Sequence, residues 1–255
     1  MTKHQHILVA ALLLSAAACS NAPGAEAPKD AYERGVAALQ AGQPRTARVE
    51  FMNAIKADPN NGDAHVMQAR TYLALGDGVA AGAEIERARQ LRIPVDETRH
   101  LMAHALLLQN EPKRALEELE SVAPAHAAYA ARIRGQAFAE LGDDKAAAAA
   151  FAAAIEAAPK DDDVWTDMAR FRRGNGDLAG AIEAADKAVS LNPRDIEAIT
   201  LRGELTRSQY GLRAAMPWFD RALEIDPNHV PALLERAATL GDLGEMQAML
   251  AETRK

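Results

Sequence analysis

Residues 142–193 read GDDKAAAAAFAAAIEAAPKDDDVWTDMARFRRGNGDLAGAIEAADKAVSLNP, and this stretch decides the fold. It contains an alanine-rich helical segment, then a helix–turn–helix pattern, and each closes on a proline, Pro159 and Pro193, 34 residues apart. Pro227 continues the spacing, and Pro59 holds the same place nearer the N-terminus. Five residues before each of these prolines stands an alanine: Ala54, Ala154, Ala188 and Ala222. A 34-residue period of helical hairpins predicts a solenoid, because one hairpin cannot bury its apolar face alone and must stack on its neighbours.

Working outward from that stretch, units start at Pro28, Gly62, Asp96, Ala128, Asp162, Ile196 and Val230. The third is 32 residues long and the other complete ones are 34. The first helix of each unit (helix A) carries a small residue at its eighth place: Gly35, Ala69, Ala103, Gly135, Ala169, Gly203 and Ala237. The second helix (helix B) carries alanine at the twentieth place of the unit: Ala47, Ala81, Ala115, Ala147, Ala181 and Ala215. Four residues later come the bulky knobs Phe51, Ile85, Leu119, Phe151 and Phe219, which are expected to fill the holes between successive hairpins; the fifth unit has Ala185 instead. Gly76-Asp77, Gly142-Asp143 and Gly176-Asp177 supply the turn between helices, glycine for its left-handed backbone and aspartate as a helix cap.

Composition agrees with a helical array. Of 255 residues 49% are hydrophobic but only 4% aromatic, so many thin alanine-lined interfaces are favoured over one bulky core. The net charge of −7 carries no concentrated basic face, which argues against a nucleic-acid partner.

The N-terminus reads as an address. A short start with Lys3 leads into the apolar run Ile7–Ala18 and then Cys19, the only cysteine. Twelve residues are too few for a spanning helix, which needs about 20, so a signal peptide fits better. Ala16, Ala17 and Ala18 before Cys19 resemble a bacterial lipobox, which implies cleavage after residue 18 and lipidation of Cys19. Cleavage removes Lys3 and no acid, taking the net charge from −7 to −8. Several acyl chains on one residue would anchor firmly. Ser20, where an aspartate would retain such a lipoprotein at the inner membrane, implies an outer-membrane anchor with the array in the periplasm. The expected organisation is a signal peptide over 1–18, a flexible tether over 19–27, and a repeat array over 28–255 with about six full units and a truncated seventh. That seventh unit stops at Lys255, its twenty-sixth place, so the favoured expectation is a piece of a longer array, the alternative being a last helix that frays or docks on a partner.

These repeats resemble tetratricopeptide repeats over the whole length after Cys19. The resemblance implies an all-α fold, a right-handed superhelical solenoid of helix–turn–helix hairpins. More narrowly, Arg45–Asp77 and the stretch HLMAHALLLQNEPKRALEEL from His100 to Leu119 are similar to the tetratricopeptide lipoproteins that accompany exosortase (PEP-CTERM) sorting and exopolysaccharide loci. That family works as a scaffold for protein partners and needs no cofactor.

In such a solenoid helix A lines the concave face. The candidate groove residues are Tyr32, Arg70, His100, His104, Tyr129, Arg132, Gln136, Arg170, Arg173, Glu204 and Arg207, with Val36, Leu39, Leu73, Leu107, Thr166 and Thr200 between them. An apolar start passing into an arginine-bearing middle suits an extended or helical peptide with acidic residues, which arginine holds bidentately. Solvated arginines paired with acids on their own helix are the plainer alternative. Arg34, Arg134, Arg202 and Arg236, at the seventh place, read instead as packing stems with snorkelling heads. The lysine–asparagine clamp with which chaperone-binding relatives hold a C-terminal carboxylate is absent: its places hold pairs such as Tyr32/Val36 and His100/His104.

No enzyme is expected. His100 and His104 lie four apart but lack the ligand number zinc needs and the glutamate of a metalloprotease motif. His65 and Glu97 could approach each other, though nothing demands it. Asp161–Asp163 reads as a helix cap near Trp165, so no metal site is predicted. The leading expectation is a membrane-anchored adaptor for a protein partner in envelope assembly, sorting or exopolysaccharide export. The alternatives are a direct binder of anionic polysaccharide and a pilus-biogenesis lipoprotein.

Overall fold

The computed structural model describes residues 30–252. The expected signal peptide, Cys19 and the tether lie outside the described residues. Seven helical hairpins follow one another, and each A helix begins at or within three residues of its expected unit start. The A helices are α1 (Ala31–Gln40), α3 (Gly62–Ala74), α5 (Arg99–Leu108), α7 (Ala127–Glu140), α9 (Asp162–Gly174), α11 (Ile196–Tyr210) and α13 (Val230–Asp242). The B helices are α2 (Pro44–Ala57), α4 (Gly78–Gln90), α6 (Pro112–Glu118), α8 (Asp144–Ala157), α10 (Leu178–Leu191), α12 (Leu212–Ile225) and α14 (Met246–Glu252). Each helix packs on the next in the chain, and each A helix also touches the A helix of the following hairpin. The result is the right-handed superhelical solenoid the repeats imply. No described helix is long and apolar enough to cross a membrane.

The helix starts follow from short polar side chains. Asp77, Asp143 and Asp177 accept from the backbone N–H of Ala80, Ala146 and Gly180 at 2.9, 3.0 and 2.9 Å, satisfying donors a helix start leaves open. Asp161 does the same for α9, accepting from Asp163 N–H at 3.1 Å, so that helix begins at Asp162. The turn before α8 needs a left-handed residue, supplied by Gly142 at φ 75°, and in the third hairpin Asn110 fills the equivalent place at φ 60°. That short third unit is also where helix content is lost: α6 has only 7 residues, and turns of 3-10 helix over Val95–Glu97 and Pro124–His126 bracket the hairpin.

The core is a rule of complementary sizes. Phe51, Phe151 and Phe219 are fully or almost fully buried. Each ring lies directly over the glycine at the eighth place of its own hairpin. A Cβ added at Gly35, Gly135 or Gly203 would sit 2.7, 2.8 or 2.5 Å from the nearest ring carbon. Where the eighth place is alanine, the knob is smaller: Ala69 goes with Ile85, Ala103 with Leu119 and Ala169 with Ala185, all at 0–1% exposure. The knob therefore packs first inside its own hairpin, which corrects the expectation that it fills the hole between successive hairpins. It does also reach forward: Phe151 lies 5.4 Å from Phe171 of the next A helix. Each buried ring is worth about 1.5–3 kcal/mol of apolar transfer.

The seventh-place arginines behave as packing stems with tied heads. Arg202 and Arg236 reach back to Asp186 and Asp220 of the preceding B helix at 2.5 and 2.6 Å. Arg134 donates to the Leu119 carbonyl at the end of α6 at 2.7 Å, and Arg34 pairs with Glu50 at 2.8 Å. Gln68 holds the same place in the second unit, 1% exposed, and its amide has no protein hydrogen-bond partner.

Candidate functional site

The A helices together form one continuous face, and its first part is apolar. Tyr32 is half-buried, edge-on to Phe51 at 5.8 Å, with Val36 and Leu39 beside it. Leu73 and Leu107, expected in the groove, are 6% exposed and belong to the core. Thr166 and Thr200 are likewise buried, each donating its hydroxyl to the carbonyl four residues earlier, of Asp162 and Ile196. A threonine at that register turns inward because its methyl packs while its hydroxyl finds a backbone acceptor.

The histidine region is a closed aromatic cluster. His100 is 1% exposed and stacks on His126 with centroids 3.9 Å apart, so it does not line an open groove. The Tyr129 hydroxyl and His104 Nδ1 share a hydrogen bond at 2.6 Å, and the Arg132 guanidinium lies 4.8 Å over the Tyr129 ring. Burial, together with the nearby charges of His126 and Arg70, lowers the His100 pKa to about 3. Burial and Arg132 bring His104 to about 3 as well. Both rings are neutral near pH 7. His65 bonds to Glu84 at 2.6 Å and Glu97 to His126 at 2.9 Å, so the possible His65–Glu97 approach does not form.

The arginines are the main correction. From the fourth unit onward each one on this face is joined to an acid of the next A helix. Arg132 meets Asp167 at 3.2 Å and Asp163 at 3.3 Å. Arg170 meets Glu197 at 3.1 Å, Arg173 pairs with Glu204, and Arg207 meets Glu235 at 2.8 Å. Asp167 is 6% exposed and gathers Arg132, Arg170 and the Gln136 amide on one carboxylate. Burial works against the Arg132 charge, but Asp167 and Asp163 outweigh it and raise its pKa. The expected open cationic strip is therefore a ladder of ion pairs that ties hairpin to hairpin. Arg132 in particular is buried and committed. Arg70 differs: it is half-buried and makes no ion pair or hydrogen bond among the described residues.

Sequence reasoning missed the acids of this ladder because it compared arginines with acids on their own helix. The partners lie 27 to 35 residues downstream, about one repeat away, as in Arg170–Glu197 and Arg132–Asp167. It also missed a cleft of about 480 Å³ between α7 and α9, lined among others by Glu140, Asp144 and Phe171. Among the described residues, Asp162, Asp163 and Asp195 can bring carboxylate oxygens within 4.8 Å of one another. Asp162 already accepts from Asn192 at 2.8 Å and Asp195 caps α11, so these acids serve helix starts.

Models of the tetratricopeptide repeat match the chain over residues 38–92, 100–162 and 166–230. No curated protein matches it in sequence. Among solved structures, a tetratricopeptide repeat protein from Parabacteroides merdae superposes with a TM-score of 0.66 at 16% identity, covering 82% of this chain and 83% of that one. PilW, a type IV pilus biogenesis factor, gives 0.55 at 18% identity over 79% of this chain and 94% of its own. A chain of the Cut9–Hcn1 hetero-tetramer of APC/C gives 0.58 at 18% identity over 81% of this chain. This chain spans only 41% of that one. At such identities the likeness is one of fold.

Proposed function

The chain belongs to the tetratricopeptide repeat family, and on that premise we propose that it is a non-enzymatic scaffold that binds a protein partner through its A-helix face. The observation that carries this reading is the continuity of that face: seven consecutive A helices present one surface, and its last four are cross-tied by Arg132–Asp167, Arg170–Glu197, Arg173–Glu204 and Arg207–Glu235. A surface held rigid before binding loses little entropy when a peptide lies along it. The proposal extends to location. Lipidation at Cys19, an outer-membrane anchor and a periplasmic array rest on the sequence up to and including Ser20, and a role in sorting or exopolysaccharide export rests on the narrower family resemblance.

Direct binding of anionic polysaccharide is the less favoured alternative, because the arginines that would carry it are already neutralised by neighbouring acids. A pilus-biogenesis role stays as a further alternative; PilW, itself a pilus biogenesis factor, has the same fold. The test uses the full chain in a Gram-negative host. Labelled palmitate should enter the wild type and not Cys19→Ser, and the protein should sediment with outer membranes. Purified protein should capture a discrete envelope protein and pass through an anionic polysaccharide resin at low salt. Salt-sensitive retention on that resin with no captured protein would reverse the ranking.

A further inference from the structure

We propose that the cleft between α7 and α9 is a subsite for a lysine or arginine side chain of the bound partner. This deepens the partner-binding reading of the A-helix face and rests on it. The cleft is about 480 Å³, crosses the boundary between the fourth and fifth hairpins, and is large enough for a long basic side chain. Gln136 and Glu140 come from α7, Asp144 from the start of α8, and Asp167, Arg170 and Phe171 from α9.

Charge decides what the cleft takes. Asp167 and Arg170 satisfy each other at 3.3 Å. Glu140 and Asp144 have no ion pair or hydrogen bond among the described residues, so the lining carries two uncompensated carboxylates. Partial burial pushes the Glu140 carboxyl pKa up, and a cation beside it would favour its charged form. One further feature acts in the same sense. Phe171, half-buried against Phe151, supplies an aromatic wall on which an ammonium or guanidinium group is attracted. An acidic side chain would be repelled by Glu140, Asp144 and the ring face, while Arg170, the cation of the lining, is already paired with Asp167 and Glu197. An apolar one would fill the volume but cover the carboxylates without pairing them. The expectation of an acidic partner peptide thus inverts at this cleft: Arg132, Arg170, Arg173 and Arg207 are taken, and two unpaired acids line it.

Two measurements on the full chain separate this inference from the reading beneath it. The first is ligand-observed NMR with N-acetyl-arginine amide and its neutral isostere N-acetyl-citrulline amide. The arginine probe should bind about tenfold more tightly than citrulline, and Glu140→Gln/Asp144→Asn should erase the difference. Both residues are exposed, and unchanged circular dichroism would show the fold intact. The second is selection of a random peptide library on wild type and on that double variant. Enrichment of one basic position by the wild type, lost in a variant that still selects peptides, supports the subsite. Peptides selected without basic preference, with arginine and citrulline bound alike, overturn the subsite and leave the partner-binding face standing. No peptides selected, but arginine preferred and the preference lost in the variant, supports the cleft and counts against the face. Failure in both assays overturns both.

Discussion

Adding one methyl group at Gly203 tests how the array is packed. In Gly203→Ala the new Cβ would lie 2.5 Å from Phe219 Cε1, well inside contact distance, and the ring is fully buried with no room to swing aside. Overpacking of this kind costs about 1–3 kcal/mol. Alanine is favoured over glycine inside a helix by about 1 kcal/mol, so the net loss should be about 0–2 kcal/mol. The single variant is therefore a weak discriminator, and the decisive quantity is the coupling. Phe219→Leu alone should cost about 1–2 kcal/mol by leaving space beside the glycine. Together the two changes recreate the pairing that Ala103 and Leu119 already make in the third hairpin, both 0–1% exposed. The double variant should then be more stable than the sum predicts by about 1–2 kcal/mol. Solenoid stability is built from neighbouring repeats, so the readout should be local: hydrogen exchange of amides in α11 and α12, with urea unfolding followed by circular dichroism. Additivity within about 0.5 kcal/mol would refute the size-complementarity reasoning.

Further expectations follow from buried polar groups. Gln68→Met should raise the melting temperature by relieving an amide with no protein partner, worth about 1–3 kcal/mol; Met102 and Met168 fill the same place in the third and fifth units. A lower melting temperature would mean the Gln68 amide is satisfied. Asp195 is pushed up to about 6, by burial first and by Asp162 and Asp163. The folded state therefore holds a proton that the unfolded chain releases, and this group's contribution falls as pH rises from about 4 to 6. Asp195→Asn keeps the cap and should flatten that part of the stability–pH curve, gaining about 1–2 kcal/mol at neutral pH; an unchanged slope would be contrary. His100 and His104 act the other way. With folded pKa values near 3 against 6.5 unfolded, their contribution is complete above pH 6.5 and drains away as pH falls toward 3. His100→Gln/His104→Gln should shallow the acid limb of a urea-midpoint titration, and a limb just as steep would exclude these rings as its cause.

How much of this was legible depends on how far apart the interacting residues lie. The unit boundaries, the Gly–Asp turns and the small eighth place were readable because their physics lies within one hairpin. Gly203 and Phe219 are 16 residues apart, and a fixed repeat makes that spacing visible. The ion-pair ladder is not legible in the sequence, because Arg132 and Asp167 meet only once two hairpins have stacked. His100 shows a second kind of difficulty. Its register points to the inner face, yet the short third unit brings His126 over it and seals it inside. Local patterns gave each side chain a face, and the neighbouring hairpin decided whether that face stayed open. The cleft beside Phe171 was hidden for the same reason, since its walls come from three helices and two repeats.

The most direct test of the central claim is site-specific photocrosslinking in intact envelope with the full chain. A photoreactive residue is placed at Arg173, exposed on the A-helix face, and separately at Lys187, exposed on α10 of the B-helix layer. One discrete protein adduct is expected from position 173 and none from position 187. The same adduct from 187 alone, or equally from both, would contradict binding through the A-helix face.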